Sequence, residues 1–373
     1  MKFDCASWSE IEAILKIDQA SNISYGHPCK ARGALRAAYE AGVRRMTFDN
    51  ADELYKIKET APNAELYLRI WTEHAGKQSH LSQKFGARLD DVLGLFGIAK
   101  EIGLQIEGVA FHVGTNTSDP GAYTSAVEHA AAAFQQATKL GLHLRTLNVG
   151  GGFVPDSFEI TGKELHRAIE QHFSPDVKVI AEPGRFFAAE AYTLVCNVIG
   201  KSSRLAPWTS EQNQVSRTEK KSLRLAGSSS SRGSSEIPRL YLNDGVFGNL
   251  SNVIWESMQV RPGLIVVGTA ARLATKTPRE EARVHGEADT WYSLWGPTCD
   301  GADKISGKWS CGEDIQTGDW LYFENSGAYS ACCSTRFNGF GDVGRTEYVS
   351  SEDCVVVVGN DDVYLRAGNE RNL

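Results

Sequence analysis

Two patterns of apolar and polar residues divide the chain near residue 185. Before that point, short apolar runs alternate with longer stretches that have the apolar spacing of amphipathic helices. This rhythm predicts a parallel α/β structure, and the shortness of the runs favours a barrel. The predicted strands are Lys2–Asp4, Asn22–Tyr25, Met46–Phe48, Leu66–Ile70, Gly108–His112, Thr146–Val149 and Val177–Ala181. The predicted helices include Ala31–Ala41, Ala51–Glu59, Asp90–Ile102, Pro120–Leu140 and Gly162–His172.

Cap-forming side chains support two of these helix starts. Asp49-Asn50 precedes one helix, and Ser118-Asp119-Pro120 places a proline where the first helical turn tolerates it. The strand count falls short of a closed barrel, because about seven units are found and eight are needed. We therefore expect a (βα)8-type barrel whose first strand is missing from the printed sequence.

From Ala191 onward, the pattern changes to strands without intervening helices. It predicts a barrel domain over residues 1–188 and a β domain over residues 189–373, with strands Thr193–Ile199, Leu240–Leu242, Leu264–Val267, Asp319–Phe323 and Cys354–Val358. The segment 202–236 is rich in Ser, Lys, Arg and Gln and has too few apolar residues to order itself. A disordered insertion is therefore favoured over a basic binding patch around Lys220-Lys221.

Composition excludes several classes of function. The formal net charge of −7 argues against nucleic acid as the main partner, because neutralising phosphates needs a basic face. No apolar run approaches the roughly 18 residues that a membrane span requires. The eight cysteines form no CxxC pairs, and Cys332-Cys333 are adjacent, which is a poor geometry for chelation. We expect a cytoplasmic protein with free thiols and no metal site.

The loop Trp295–Gly301 combines a thiol and a carboxylate, Cys299 and Asp300, between a proline and a glycine. Such a loop can hold two reactive side chains at fixed angles. Taken alone, it is more typical of a structural turn with a capping Asp.

Candidate chemistry also lies at three predicted strand ends. Gly150-Gly151-Gly152 can approach a phosphate closely, Glu182 and Arg185 follow the next strand, and His112 ends an earlier one. Each feature also has an ordinary explanation. The glycines can form a simple turn, Glu182 and Arg185 a surface ion pair, and His112 can be a structural histidine. The ends of parallel strands meet at one rim of a barrel, where active sites form. Together they fit a phosphorylated pyridine cofactor better than a metal.

Motifs along nearly the whole chain carry a family resemblance. They are Phe3–Ser7, Asn22–Lys30, Met46–Asp49, Lys84–Gly86, Phe111–Gly114, Gly150–Phe153, Ala181–Arg185, Asn243–Gly248, Trp295–Gly301 and Phe323–Tyr329. In this combination the chain resembles the eukaryotic ornithine decarboxylase family of pyridoxal-phosphate enzymes. The resemblance implies an alanine-racemase-like barrel followed by a C-terminal β domain. It also implies decarboxylation of ornithine or a related basic amino acid, in polyamine or alkaloid-precursor metabolism.

The resemblance also implies a role for individual residues. His112 would stack on the pyridine ring, and Glu182 would pair with the ring nitrogen. Asp300, with Glu256 nearby, would bind the distal ammonium of the substrate, and Cys299 would return a proton to the α-carbon. The remaining implied cofactor contacts are Asp4, Thr115, Gly151, Gly152, Arg185 and Tyr329. In this family the Cys-Asp loop reaches the neighbouring subunit's site, which implies a head-to-tail homodimer with shared active sites.

The chain departs from the family at the lysine that binds the cofactor covalently. That lysine lies just upstream of the motif with which this chain begins, so we expect it to be missing together with the first strand. Two explanations remain open. The sequence is an incomplete version of a longer enzyme, or it is an inactive regulator like the antizyme inhibitors. In the second case, the basic segment Lys30–Lys56 aligns with the antizyme-binding region, although a solvated helix face is the preferred explanation of this segment.

Other departures concern the substrate. Trp255-Glu256 replaces the family's Tyr-Asp pair, and the longer Glu would shorten the pocket. His80 stands where the family has an arginine, Asn148 replaces an Asp, and Thr115 replaces a Ser. These changes favour a smaller or modified diamino acid over strict ornithine specificity. A further possibility, a cofactor-binding protein without chemistry, is opposed by the β domain and the Cys-Asp loop.

Overall fold

The structure is a computed structural model that describes residues 2–72, 84–115, 119–202, 237–256, 258–265, 290–340, 355–358 and 363–366. The chain forms two compact units, Met1–Ala188 and Ala189–Leu373. Each unit has its own cluster of buried apolar side chains.

The first unit is a parallel sheet with helices between its strands. The sheet order β1-β2-β3-β4-β5-β6-β7 follows the chain, and every neighbouring pair is parallel. The strands are β1 Phe3–Cys5, β2 Ile23–Tyr25, β3 Arg45–Phe48, β4 Glu65–Arg69, β5 Gln105–Ala110, β6 Thr146–Asn148 and β7 Lys178–Ile180. The helices are α1 Trp8–Ile14, α2 Arg32–Glu40, α3 Ala51–Thr60, α4 Leu89–Glu101, α5 Pro120–Lys139, α6 Phe158–His172 and α7 Gly184–Ala188. The predicted parallel α/β fold is confirmed.

Capping side chains start these helices as the sequence predicts. The Asn50 side chain accepts a hydrogen bond from the Glu53 N–H at 2.9 Å, and Asp119 accepts one from the Gly121 N–H at 2.9 Å. Helix α1 was not predicted, although Ser7 accepts from the Glu10 N–H and Glu10 reaches back to the Ala6 N–H. These two bonds cap the first turn of the helix, and they fix the chain direction directly after β1.

Strands β1 and β7 are the two edges of the sheet in the described part of the chain. The charge of Glu182, just after β7, acts on Asp4 in β1. The charge of Lys178, at the start of β7, acts on Lys2, just before β1. The two edges therefore approach each other, so the sheet is curled. This curled seven-stranded sheet is the predicted barrel with one strand fewer than a closed (βα)8 barrel.

The second unit is built on a six-stranded sheet of order β10-β13-β8-β9-β11-β12. Four of its five pairings are antiparallel, and β9 pairs with β11 in parallel. Its strands are β8 Leu194–Ser202, β9 Arg239–Leu242, β10 Gly263–Ile265, β11 Tyr292–Trp295, β12 Lys304–Trp309 and β13 Trp320–Phe323, and a hairpin pairs β14 Val355–Val358 with β15 Val363–Arg366. The short helix α8, Asn252–Trp255, follows β9. The predicted β domain is confirmed, although β11, β12 and β15 were not predicted.

The predicted disordered insertion differs from the structure at its first residue. Ser202 ends β8 and pairs with Arg239, so the strand runs one residue into the predicted segment. Residues 203–236 lie outside the described part of the chain.

Candidate functional site

His112 follows β5 at the carboxyl rim of the curled sheet. The strand ends at Ala110, two residues earlier than predicted, and two hydrogen bonds hold the histidine there. The Gly114 N–H donates to its Nδ1 at 3.0 Å, and the Thr72 hydroxyl donates to its carbonyl at 3.1 Å. Burial, aided by the Arg69 charge, lowers the pKa of His112 to about 4. The imidazole is therefore neutral near pH 7, with its hydrogen on Nε2.

The glycine run packs directly against this histidine. Gly150 and Gly152 have positive φ angles of +65° and +104°, a conformation that side chains disfavour. A Cβ atom on Gly150 would lie 2.1 Å from the Phe111 carbonyl oxygen. At Gly151 it would lie 2.8 Å from the Glu182 carbonyl oxygen and 3.0 Å from Nε2 of His112. All three positions therefore require glycine, and the run brings bare backbone beside the imidazole.

Glu182 and Arg185, the predicted acid and base, lie at the same rim, and each side chain has its own hydrogen-bond partner. Glu182 follows β7, and its Oε1 accepts a hydrogen bond from Nδ2 of Asn148 at 2.6 Å. Arg185 lies in α7 and donates to Oγ1 of Thr115 from Nε at 3.3 Å and from Nη2 at 3.1 Å. The guanidinium and the hydroxyl together form a donor pair suited to an anion.

Two carboxyl groups share this rim. Asp4 lies in β1 and is exposed to solvent, but protein atoms crowd closely around its carboxyl group. Desolvation and then the Glu182 charge raise the pKa of Asp4 well above its usual range. Burial also raises the pKa of Glu182, against the opposing effects of the Asn148 hydrogen bond and Arg69. Both carboxyl groups are therefore easier to protonate than an ordinary carboxyl group on the protein surface.

Sequence reasoning missed two residues of this site. Arg69 ends β4, and its charge acts on Asp4, Glu182 and His112. Its position at a strand end was the signal that could have found it. Tyr123 on α5 is fully buried and donates its hydroxyl hydrogen to the Gly151 carbonyl at 3.0 Å. Its place in an ordinary apolar helix pattern gave no signal.

In the second unit, the Cys-Asp loop is a built turn with an exposed tip. The Thr298 N–H and hydroxyl donate to Oδ2 of Asp303 at 2.9 and 2.7 Å. The Cys299 N–H donates to Oδ1 of Asn338 at 3.0 Å, and the Asp300 carboxylate accepts from the backbone at 2.7 Å. Cys299 and Asp300 are both exposed. The turn thus fixes the loop backbone and presents the thiol and carboxylate outward.

The second unit holds two other predicted site residues, Tyr329 and Glu256. Tyr329 has a positive φ of 54° and is 44% exposed, and its carbonyl accepts from the Ser251 hydroxyl at 3.2 Å. Glu256 follows α8 and is half-buried, beside Trp255, which is 75% exposed. All other predicted site residues lie in the first unit. The predicted departure at His80 lies outside the described residues.

Comparison with known proteins decides the family. Residues 1–189 match the pyridoxal binding domain of pyridoxal-dependent decarboxylases. Over 354 residues the chain is 41% identical to ornithine decarboxylase of Neurospora crassa, an alignment that covers 94% of this chain and 71% of the relative. The chain belongs to the eukaryotic ornithine decarboxylase family. The resemblance predicted from the sequence motifs is thus confirmed.

Further relatives of this chain include an inhibitor-type protein and an enzyme of solved structure. Antizyme inhibitor 2 of Xenopus laevis is 36% identical, with 91% of this chain and 67% of the relative covered. The crystal structure of the Paramecium bursaria Chlorella virus arginine decarboxylase bound to agmatine superposes with a TM-score of 0.76 at 31% identity. It covers 91% of this chain and 81% of that one.

The family's cofactor is pyridoxal phosphate, and the residues of the first unit fit it. Where the glycine run meets His112 there is space for backbone N–H donors but none for side chains. The neutral imidazole offers a flat face, Glu182 offers an acceptor, and the Arg185–Thr115 pair offers donors to a phosphate. The predicted cofactor is therefore confirmed at the level of the family, and the donor set agrees with it.

Two kinds of feature are absent from the described residues. No helix among them is long and apolar enough to cross a bilayer. Within the same residues, no group of three or more His, Cys, Asp or Glu side chains is placed to hold a metal ion.

Proposed function

We propose that this protein removes the carboxyl group, as CO2, from ornithine or a related diamino acid with the aid of pyridoxal phosphate. The observation that carries the proposal is the arrangement of His112, Gly151 and Glu182 at one barrel rim. A neutral ring, bare backbone and an acceptor carboxylate lie within one small group of contacts. Family membership supplies the class of reaction, and the substrate is the proposed part.

The residues of the first unit bind and orient the cofactor. Pyridoxal phosphate, when bound, supplies a ring that accepts electrons as a carboxylate leaves the α-carbon. His112 provides a face against that ring, and its neutrality avoids repulsion with a protonated ring nitrogen. Glu182 accepts the N–H of that nitrogen. Arg185 and Thr115 hold the phosphate with the backbone of Gly151 and Gly152.

The residues of the second unit act on the substrate. In the proposal, Asp300 binds the distal ammonium and Cys299 supplies the proton that the α-carbon needs after decarboxylation. Tyr329 contributes its hydroxyl to the phosphate. Their support is the fixed loop that exposes Cys299 and Asp300. Glu256 is one methylene longer than the family's usual Asp, which favours a smaller or modified diamino acid.

A decarboxylation assay tests this function. The resemblance implies a covalent lysine on a strand just upstream of Phe3–Ser7, so the assay compares the chain of residues 1–373 with the same chain extended by a lysine-bearing strand. Both are incubated with pyridoxal phosphate and ornithine, lysine, arginine or 2,4-diaminobutyrate, and the CO2 released is measured. We expect release from the extended chain only, with a diamino acid preferred over arginine. No release from any substrate by the extended, cofactor-loaded protein would refute the proposal.

We also propose a head-to-tail homodimer in which the Cys299 loop of one subunit completes the site of the other. The support is the exposure of Cys299 and Asp300 on a rigid turn. Such an arrangement makes both subunits necessary for each site. Coexpression of two differently inactivated subunits tests this arrangement.

Binding of antizyme is the second candidate function, and the 36% identical antizyme inhibitor is what favours it. The basic segment gives it little support, because Lys30 is buried in an ion pair with Glu53 at 2.8 Å and the Arg44 guanidinium lies over Tyr39 at 4.2 Å. A pull-down with purified antizyme tests this candidate. Absence of binding at micromolar concentrations would remove it.

For location, we propose the cytoplasm. The support is that seven cysteines among the described residues are free, as expected in a reducing compartment. Microscopy of a fluorescent fusion in living cells tests this, and a signal confined to a secretory organelle would contradict it.

A further inference from the structure

Asn148 ends β6 and has a single possible orientation. The side chain is 7% exposed, and its Oδ1 accepts a hydrogen bond from the Gly150 N–H at 2.9 Å. Its Nδ2 donates to Oε1 of Glu182 at 2.6 Å. An N–H can only donate and a carboxylate can only accept, so rotating the amide by 180° would break both bonds. The donor therefore points at Glu182.

A second contact ties the main chain of Glu182 to the same turn. Its N–H donates to the Gly150 carbonyl at 2.8 Å, so backbone and side chain are both held to the segment that follows β6. The Asn148 bond uses Oε1 and leaves Oε2 as an acceptor for a ligand. Asn148 thus links the glycine run, which would hold the phosphate, to the carboxylate that would meet the ring.

The charges around Glu182 explain why an amide suits this position. Asp4 on β1 faces it with a second carboxyl group, Arg69 on β4 supplies a cation, and His112 after β5 is neutral. Further out, Glu10 acts on Asp4 and Asp49 acts on Arg69. An aspartate at position 148 would add a third carboxyl group to this cluster. An asparagine donates a hydrogen bond to Glu182 without adding charge.

We propose that Asn148 is a positioning residue of the cofactor site, whose amide aims the Glu182 carboxylate and keeps it available as an acceptor for the ring nitrogen. This inference deepens the proposed function and rests on the role given there to Glu182. At this position, where the family usually has Asp, the chain thus gives Glu182 a neutral donor instead of a second charged neighbour. A purely structural Asn148 would stabilise the turn without affecting the ionisation of Glu182.

Two variants and one matched control separate these roles. N148A removes the donor, and N148D keeps the acceptor for Gly150 but turns a second carboxylate oxygen towards Glu182. The control is N249D, because Nδ2 of Asn249 donates to the Asp244 carboxylate at the same 2.6 Å in the second unit. In cofactor-free protein, the Glu182 carboxyl is titrated by its carbon-13 chemical shift, assigned from the signal lost in E182Q. Pyridoxal phosphate affinity is then measured against pH by tryptophan fluorescence.

We expect the Glu182 titration midpoint to rise by about one pH unit or more in N148D, and by less in N148A. Because the ring nitrogen needs the anionic form, the pH below which cofactor affinity falls should rise with it. N249D should leave the Glu182 midpoint unchanged. Equal midpoints in wild type, N148A and N148D would overturn the inference. If none of the proteins binds the cofactor, the proposed function fails, while the titration of the cofactor-free protein still decides the role of Asn148.

Discussion

At the residue scale, a single histidine combines two properties that its role needs. Packing against Gly151 places the His112 ring beside the glycine run proposed to hold the cofactor, and burial keeps the ring neutral. A charged imidazolium would repel a protonated pyridine ring, whereas a neutral ring can stack on it. Phenylalanine shares the flat face but not the hydrogen bond to the Gly114 N–H.

The neutrality of His112 leads to a prediction about pH. Because its pKa is lowered to about 4, pyridoxal phosphate affinity should show no histidine step between about pH 5 and pH 8. H112F should keep affinity within a few-fold, and H112A should lose about tenfold, the worth of one stacked ring pair. Fluorescence titration at several pH values measures both. A midpoint near the ordinary histidine value that disappears in H112F would contradict this account.

Asp4 gives a prediction about stability without cofactor. Its pKa in the folded state is raised, so the folded protein binds more protons than the unfolded chain between the ordinary Asp value and the raised one. Stability therefore falls as the pH rises through that window, and the loss is absent below it. D4N should gain stability over wild type near about pH 7 and little near about pH 4 in urea unfolding. E159Q, at the exposed start of α6, is the control; wild type and D4N curves that run parallel would disprove the assignment.

Site residues could be predicted from the sequence where they lie at the end of a predicted strand. His112, Glu182 and Arg185 lie at or after the ends of predicted strands, and the ends of parallel strands meet at one rim of a barrel. The bond between Asn148 and Glu182 could not be predicted, because it depends on the register of β6 against β7. Tyr123 reaches Gly151 across the packing of α5, which a sequence pattern does not specify.

At the scale of secondary-structure elements, a helix or strand could be predicted where its pattern of apolar residues was long and uninterrupted. The seven barrel strands were predicted because each gives a short apolar run bounded by polar residues, a pattern that persists in the edge strand β7 although Lys178 and Val179 are exposed. Helix α1 has only seven residues and one buried side chain, Ile11, so its apolar spacing is too short to detect. Bulges interrupt the pairing of β11 with β12, and β12 carries exposed polar residues such as Lys304 and Lys308, which blurs the alternation that predicts a strand.

Alanine should lower the stability of the protein at Gly151, which follows β6, and raise it at Gly162 in α6. At Gly151 a Cβ would lie 2.8 Å from the Glu182 carbonyl oxygen, so the main chain must shift and the cradle with it. G151A should lose about 1–3 kcal/mol of stability and at least about tenfold in cofactor affinity. Gly162, inside α6, has open space around its Cβ, so G162A should gain about 0.5–1 kcal/mol and bind the cofactor normally. Unchanged affinity in G151A would show that the glycine run does not hold the phosphate.

At the scale of the whole molecule, the proposed site residues fall into two sets. The cofactor set lies in Met1–Ala188, and the substrate set with Tyr329 lies in Ala189–Leu373. The sequence predicted both sets from motifs, but motifs alone cannot tell whether one chain or two chains unite them. That question concerns assembly and needs a measurement on mixed subunits.

Mixed subunits should recover activity lost in each variant alone. In the lysine-extended protein, C299A removes the proposed proton donor and E182Q removes the ring-nitrogen partner, so each homodimer should be nearly inactive. If sites are shared, a mixed dimer has one site with both lesions and one with neither. Random pairing makes half of the dimers mixed, so coexpression should restore about a quarter of wild-type CO2 release. C299A coexpressed with C299S should restore nothing, because both subunits then lack the same thiol. Failure of C299A and E182Q to complement each other would place each complete site within a single chain.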